Sequence, residues 1–218
     1  MAPVLYLFDI DGTLLHAHGS GRTAFDAVMA AHHGVRDASA GIRYGGKTDP
    51  ALVDEIYRAR LGRDATAAER EAFLAAYVPR LAALLAEAGV EVLPGVVDTL
   101  AWLATQDVIL GVATGNLRAG AGAKLAAAGL GDRFRLGGYG CDSPVRAELV
   151  AAAIARAGEV REVVVVGDTI HDISAARACG ATVCAVTTGG DSRESLAHAD
   201  AVFASLAELP AWHAARFL

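Results

Sequence analysis

Two carboxylates, Asp9 and Asp11, stand one residue apart in the stretch FDIDGTLL, residues 8–15. They follow the apolar run VLYLF, residues 4–8, and precede Gly12 and the hydroxyl of Thr13. A short apolar run ending in a turn reads as a buried strand. Like charges this close repel, and burying either carboxylate is costly unless something compensates it. The pattern therefore asks for a cation at the end of that strand.

Similar runs recur along the chain. Strands are predicted at 4–8, 108–113, 134–139, 163–166, 182–186 and 201–203. The run VVVV at 163–166 is apolar at every position, which marks a strand buried on both faces. The implied class is α/β, with a doubly wound parallel sheet and helices on both sides. Helices fill 96–105, 118–128, 147–157 and 173–179, with Gly129 and Gly158 placed as C-terminal caps. Between His16 and Val92 the rhythm fails. Three helices are predicted there, at 23–31, 50–60 and 67–88, and the stretch is too long for a simple crossover. The expected organisation is an α/β core formed by 1–15 and 93–218, with a helical cap at 16–92. Gly19, Gly21 and Pro94-Gly95 stand where hinges would.

The chain has 218 residues, 54% of them hydrophobic, enough for one sizeable domain carrying an insert. Its net charge of −6 and lack of a Lys/Arg cluster argue against a nucleic-acid partner. No apolar run reaches the ~18–20 residues that span a bilayer. The first apolar stretch lacks a basic leader and runs straight into acids. A cytoplasmic protein with no membrane partner is expected, its oligomeric state open. Cys141, Cys179 and Cys184 show no metal-ligand spacing, and an odd count suits a reducing compartment.

Three predicted strands end in polar clusters: Asp9 to Thr13, then ATGN at 113–116, then GDTIHD at 167–172. Ligands of open parallel sheets bind beyond the carboxyl ends of the strands. Asp9, Asp11, Thr114, Asp168 and Asp172 should therefore converge. Several carboxylates in one crevice suit a hard divalent cation, and Mg²⁺ accepts oxygen ligands while leaving room for phosphate. Asp172 is counted with the metal group, where support of the neighbouring ligands and simple capping of the next helix are the two roles open to it.

FDIDGTLL, ATGN and VVVVGDTIHD, in this order and with a helical insert after the first, resemble the haloacid dehalogenase superfamily. The closer likeness is to its phosphatases with a helical cap, of the phosphoglycolate phosphatase type. The resemblance implies a Mg²⁺-dependent phosphomonoester hydrolase acting on a small phosphorylated metabolite. In it Asp9 would be the nucleophile that forms an aspartyl-phosphate, and Asp11 the general acid and then base. Asp9, the backbone carbonyl of Asp11 and Asp168 would hold Mg²⁺. Thr114, Gly115 and Asn116 would bind the phosphate. Competing readings on the same fold are a hydrolytic dehalogenase and a phosphomutase; a non-catalytic binding protein is a third.

In one place the chain departs from the family pattern, which sets a lysine before the last motif. Lys124, ten residues beyond Thr114, reads as too far along its helix, ~15 Å at 1.5 Å per residue. Arg146 is the expected cationic substitute, because a guanidinium reaches far and binds oxygens bidentately. The competitor is Lys47 in YGGKTDP, residues 44–50, where Lys47 and Thr48 would touch substrate from the cap or Thr48 or Asp49 would simply cap a helix. His171 is given no role.

Overall fold

The computed structural model describes residues 2–218. Six parallel strands form the central sheet: β1 (Val4–Phe8), β4 (Val108–Thr114), β5 (Leu136–Tyr139), β6 (Glu162–Gly167), β7 (Thr182–Val186) and β8 (Ala201–Phe203), in the order β5-β4-β1-β6-β7-β8. β1 lies between β4 and β6, with Phe8 in register with Val112 and Val166. Every residue of β1 is buried, yet the strand still has two faces. Val4, Tyr6 and Phe8 enter one apolar cluster, and Leu5 and Leu7 enter another on the opposite side. That is the two-residue period of a strand covered on both sides.

Helices α4 (Val96–Leu103), α5 (Arg118–Ala127) and α8 (Leu209–Phe217) feed the first cluster; α6 (Arg146–Ala157) and α7 (Ile170–Ala178) feed the second. The sheet is thus covered from both sides, as expected. α7 begins three residues before its predicted start. Thr169 and Asp172 form a reciprocal capping box that draws Ile170 and His171 into the helix. The strand predicted from 134 begins at Leu136, since residues 131–133 close a 3₁₀ turn. α8 was not anticipated, because Pro210, Trp212 and His213 break an apolar pattern that only the fold makes coherent. There His213 is buried, and its Nδ1 lies 2.7 Å from the Tyr6 hydroxyl.

The insert holds α1 (Ser20–His33), α2 (Asp49–Leu61) and α3 (Ala67–Ala88). Two short strands, β2 (Leu15–His16) and β3 (Glu91–Val92), pair antiparallel where the chain leaves and re-enters the core. Two-residue strands are invisible to periodicity, and they were not anticipated. Gly19 and Gly95 have φ near +78° and +79°, and Gly95 packs so closely on Ala207 that a Cβ would come within 2.3 Å of its nitrogen. The insert has an aromatic interior: the Phe25 ring lies 5.2 Å from Phe73 and 4.4 Å from Tyr77. α3 begins with a capping box, Thr66 and Glu69.

Phe73 is fully buried within this aromatic group. Phe73→Ala should cost about 3–5 kcal/mol of unfolding free energy in urea titrations. A loss under about 1 kcal/mol would show that this interior is dispensable.

Candidate active site

β1 and β6 are neighbours in register, so the residues that follow them meet. The Asp9 amide still donates to the Val166 carbonyl (2.9 Å), and the chain then turns through Ile10 to Thr13. Gly12 has φ +82°, and a Cβ there would lie 2.5 Å from Asp168 Oδ2. Only glycine both adopts this turn and leaves room for the carboxylate. The Thr13 hydroxyl donates to Asp168 Oδ1 (3.1 Å).

Asp9, Asp168 and Asp172 are buried, and each places a carboxylate oxygen within 4.8 Å of the others. Asp172 is committed. Its Oδ1 accepts Nε and Nη2 of Arg146 (3.0 and 2.6 Å), and its Oδ2 accepts the amide and hydroxyl of Thr169 (3.0 and 2.7 Å). Both roles open to Asp172 are seen: two of the four bonds cap α7, and two hold Arg146. Asp168 receives only the Thr13 hydroxyl and a long bond from the Gly190 amide (3.4 Å) among the described residues. Asp9 is met by Arg146 Nη2 at 2.9 Å. Asp9 and Asp168 therefore keep open acceptor positions facing one point. Burial is the largest factor raising both above the usual carboxylate range; repulsion from neighbouring acids adds to it, and Arg146 offsets part of it at Asp9. An all-oxygen, under-compensated pair of acids fits a hard divalent cation.

Arg146 opens α6 and is almost completely buried between Asp9 and Asp172. Burial disfavours its charge, but the two carboxylates more than reverse that. The Arg146 guanidinium thus bridges the Asp9 and Asp172 carboxylates. Lys47 is not a comparable rival, as its ammonium pairs with Glu55 at the rim. The Thr48 hydroxyl accepts the Ala51 amide and caps α2.

Lys124 corrects the sequence reading. Its Nζ lies 2.7 and 2.6 Å from the two oxygens of Asp11 and 2.8 Å from Asn116 Oδ1, and the residue is buried. The relevant distance runs from the start of α5 at Arg118, not from Thr114. Helical side chains also lean toward the N-terminus. A long lysine six residues into α5 therefore reaches back over the strand ends. Counting from the helix start would have found it.

The Asp11 side chain stands apart from the buried acid group, with Asn116 Nδ2 also donating to it (2.8 Å). The cleft partly desolvates Asp11, yet Lys124 and Asn116 hold its carboxyl below the usual range. Thr114 Oγ1 accepts Asn116 Nδ2 (2.8 Å), which fixes the turn that ends β4. Of the residues proposed from the sequence, Asp9, Asp11, Thr114, Gly115, Asn116, Lys47, Arg146 and Asp168 line one cavity of about 480 Å³ between core and insert; Thr48 and Asp172 lie behind it. Asp49, Tyr44 and Tyr77 line its insert side. Burial pushes the Asp49 carboxyl up to about 6.

Residues 4–180 match a family model described as haloacid dehalogenase-like hydrolase. The chain is 33% identical to the phosphoglycolate phosphatase of Rhodospirillum rubrum, over 96% of this chain and 90% of that protein. It is 30% identical to phosphoglycolate phosphatase 1 of Pseudomonas aeruginosa, over 86% and 70% respectively. Among solved structures, CbbY from Rhodobacter sphaeroides in complex with phosphate superposes with a TM-score of 0.75 at 22% identity over 96% of both chains. A hydrolase from Pseudomonas syringae gives 0.74 at 23% identity over 99% of both. These two likenesses are of fold.

The acid group makes stability depend on pH. Asp168 is raised from an ordinary 3.8 to about 8. Between those values the folded chain holds a proton that the unfolded chain has lost, so stability falls as pH rises through this window. In EDTA, the melting temperature should drop from pH 5 to pH 8. Millimolar Mg²⁺ at pH 8 should restore it, and Asp168→Asn should flatten both responses. A melting temperature indifferent to pH and Mg²⁺ would remove the case for a cation here.

Proposed function

The chain belongs to the haloacid dehalogenase-like hydrolase family, and we propose that it is a Mg²⁺-dependent phosphatase that hydrolyses a small phosphorylated metabolite through an aspartyl-phosphate. The observation that carries the reading is the pairing of two differently held acids around one cavity. Asp9 is buried beside Arg146 with an open oxygen, and Asp11 is fixed by Lys124 and Asn116.

Asp9 attacks phosphorus and the leaving oxygen departs as an alcohol, which splits one displacement into two easier ones. Asp11, two residues on, faces the same phosphoryl group and supplies the proton to that oxygen. The substrate's negative charge raises the affinity of Asp11 for this proton. In the second half-reaction Lys124 and Asn116 hold Asp11 as an acceptor, suited to taking a proton from the attacking water. The Thr114 hydroxyl and the amides of the following turn receive phosphate oxygens at the start of α5. Arg146 neutralises Asp9 and the incoming phosphate. Asp9, Asp168 and the Asp11 carbonyl would hold Mg²⁺, which would supply further positive charge beside the phosphoryl group. The likeness to phosphoglycolate phosphatases supports a small soluble substrate.

On p-nitrophenyl phosphate, Asp9→Asn should leave under ~1% of wild-type kcat, a loss of at least ~2.7 kcal/mol. Retention of more would overturn the covalent route. EDTA should abolish turnover, with Mg²⁺ restoring it and Ca²⁺ failing to, because a larger ion misaligns nucleophile and phosphorus.

Arg146→Ala should lower kcat/KM by roughly 10²–10³-fold, while Lys47→Ala stays within about threefold. The reverse order would hand the cationic role to the cap.

A further inference from the structure

We infer that Asp49 is a positioning residue through which the shut cap fixes the phosphate-binding turn. Asp49 opens α2 in the cap, yet both of its ends grip the core. Its amide donates to the Gly115 carbonyl (2.8 Å), and its Oδ2 accepts the Leu117 amide (2.8 Å). These two bonds bracket the turn at 115–117. The approach is close: a Cβ on Gly115 would sit 2.1 Å from the Lys47 carbonyl oxygen and 3.0 Å from Thr48 Cα. Leu117 stands at the N-cap of α5, where no side chain of its own helix caps the first turn. A carboxylate there meets both an unpaired amide and the positive end of the helix dipole. The acceptor for the amide at which a core helix opens is thus supplied by the inserted domain.

The consequence reaches Asp11. α5 carries Lys124, and Lys124 holds Asp11. With the cap shut, Asp49 sets the start of α5, and with it the turn that receives phosphate and the lysine beside the second acid. With the cap open, Asp49 leaves with α2 and the turn loses its acceptor. The structural claim concerns two hydrogen bonds and stands apart from the chemistry; its effect on phosphate rests on the function proposed above.

The test compares Asp49→Ala, which removes the acceptor, with Asp49→Asn, which keeps one. The readouts are amide hydrogen exchange by NMR and inhibition of p-nitrophenyl phosphate turnover by inorganic phosphate. In D49A, the Leu117 amide should exchange about tenfold faster than in the wild type, with the Val165 amide of β6 unchanged, and the Ki for phosphate should rise about tenfold. D49N should stay within about threefold on both. If D49A also loses Val165 protection, the same comparison is made with D49S, whose hydroxyl is too short to span to Leu117. Wild-type Leu117 exchange in the truncated variant, an unchanged Ki, or a D49N as impaired as D49A would each overturn the assignment. A wild-type protein that shows the Leu117 pattern but hydrolyses no phosphate ester would instead defeat the proposed function and leave the tie standing.

Discussion

Negative charge gathered where β1 and β6 end is the constraint around which the molecule is arranged. Adjacent parallel strands in register must place Asp9 and Asp168 side by side, since Phe8 is opposite Val166 and the acids follow at once. Neither acid can be solvated fully, because both are buried. The compensating cations come from opposite faces of the sheet. Lys124 arrives from α5 on one side, and Arg146 from α6 on the other. A doubly wound architecture is what allows two helices to reach one strand end from above and below. The burial that makes the acids costly is also what strengthens these pairs and makes their geometry definite.

The two cations do not finish the task. Four carboxylates stand at the strand ends against two cations, and Asp9 and Asp168, raised above the usual carboxylate range by burial, are the least compensated. Their bonds are also unequally distributed. Arg146 serves Asp9 and Asp172, Lys124 serves Asp11, and Asp168 has only a hydroxyl and an amide among the described residues. The deficit is therefore localised at Asp168 and at the free side of Asp9. A divalent ion would meet it at the point where the acids converge. Asp172 contributes indirectly: by filling both its oxygens with fixed donors it holds Arg146 against Asp9.

The core was legible because its signals are local and redundant. Apolar runs, glycine turns and acids at strand ends agreed with one another, so the sheet, the insert and the convergence of Asp9, Asp11, Thr114 and Asp168 could be read from the chain. What stayed hidden depends on where a side chain or a main-chain group points after folding. Lys124 was set aside on a linear distance that ignored the turn before α5 and the backward lean of helical side chains. Asp49 looked like a helix-starting acid, and its partner, the Leu117 amide, carries no sequence signature at all. β2, β3 and α8 are too short or too irregular for periodicity to reveal, and they exist because the core offers them surfaces.

Part of the contact between cap and core is made by main-chain groups that any sequence possesses. A main-chain carbonyl of Lys47 lies against Gly115, and Gly46 lies so close to the His171 ring that a Cβ would come within 2.0 Å of it. Glycine is required at both places for close approach, and at Gly46 also for φ +73°. Side chains complete the contact: the Asp49 carboxylate accepts the Leu117 amide, and Leu81 and Tyr77 of α3 lie beside Gly120 of α5. Tyr44 and Tyr77 line the insert side of the cavity and also pack on Phe25 in the interior of the insert, so the cavity wall and the insert core share these rings.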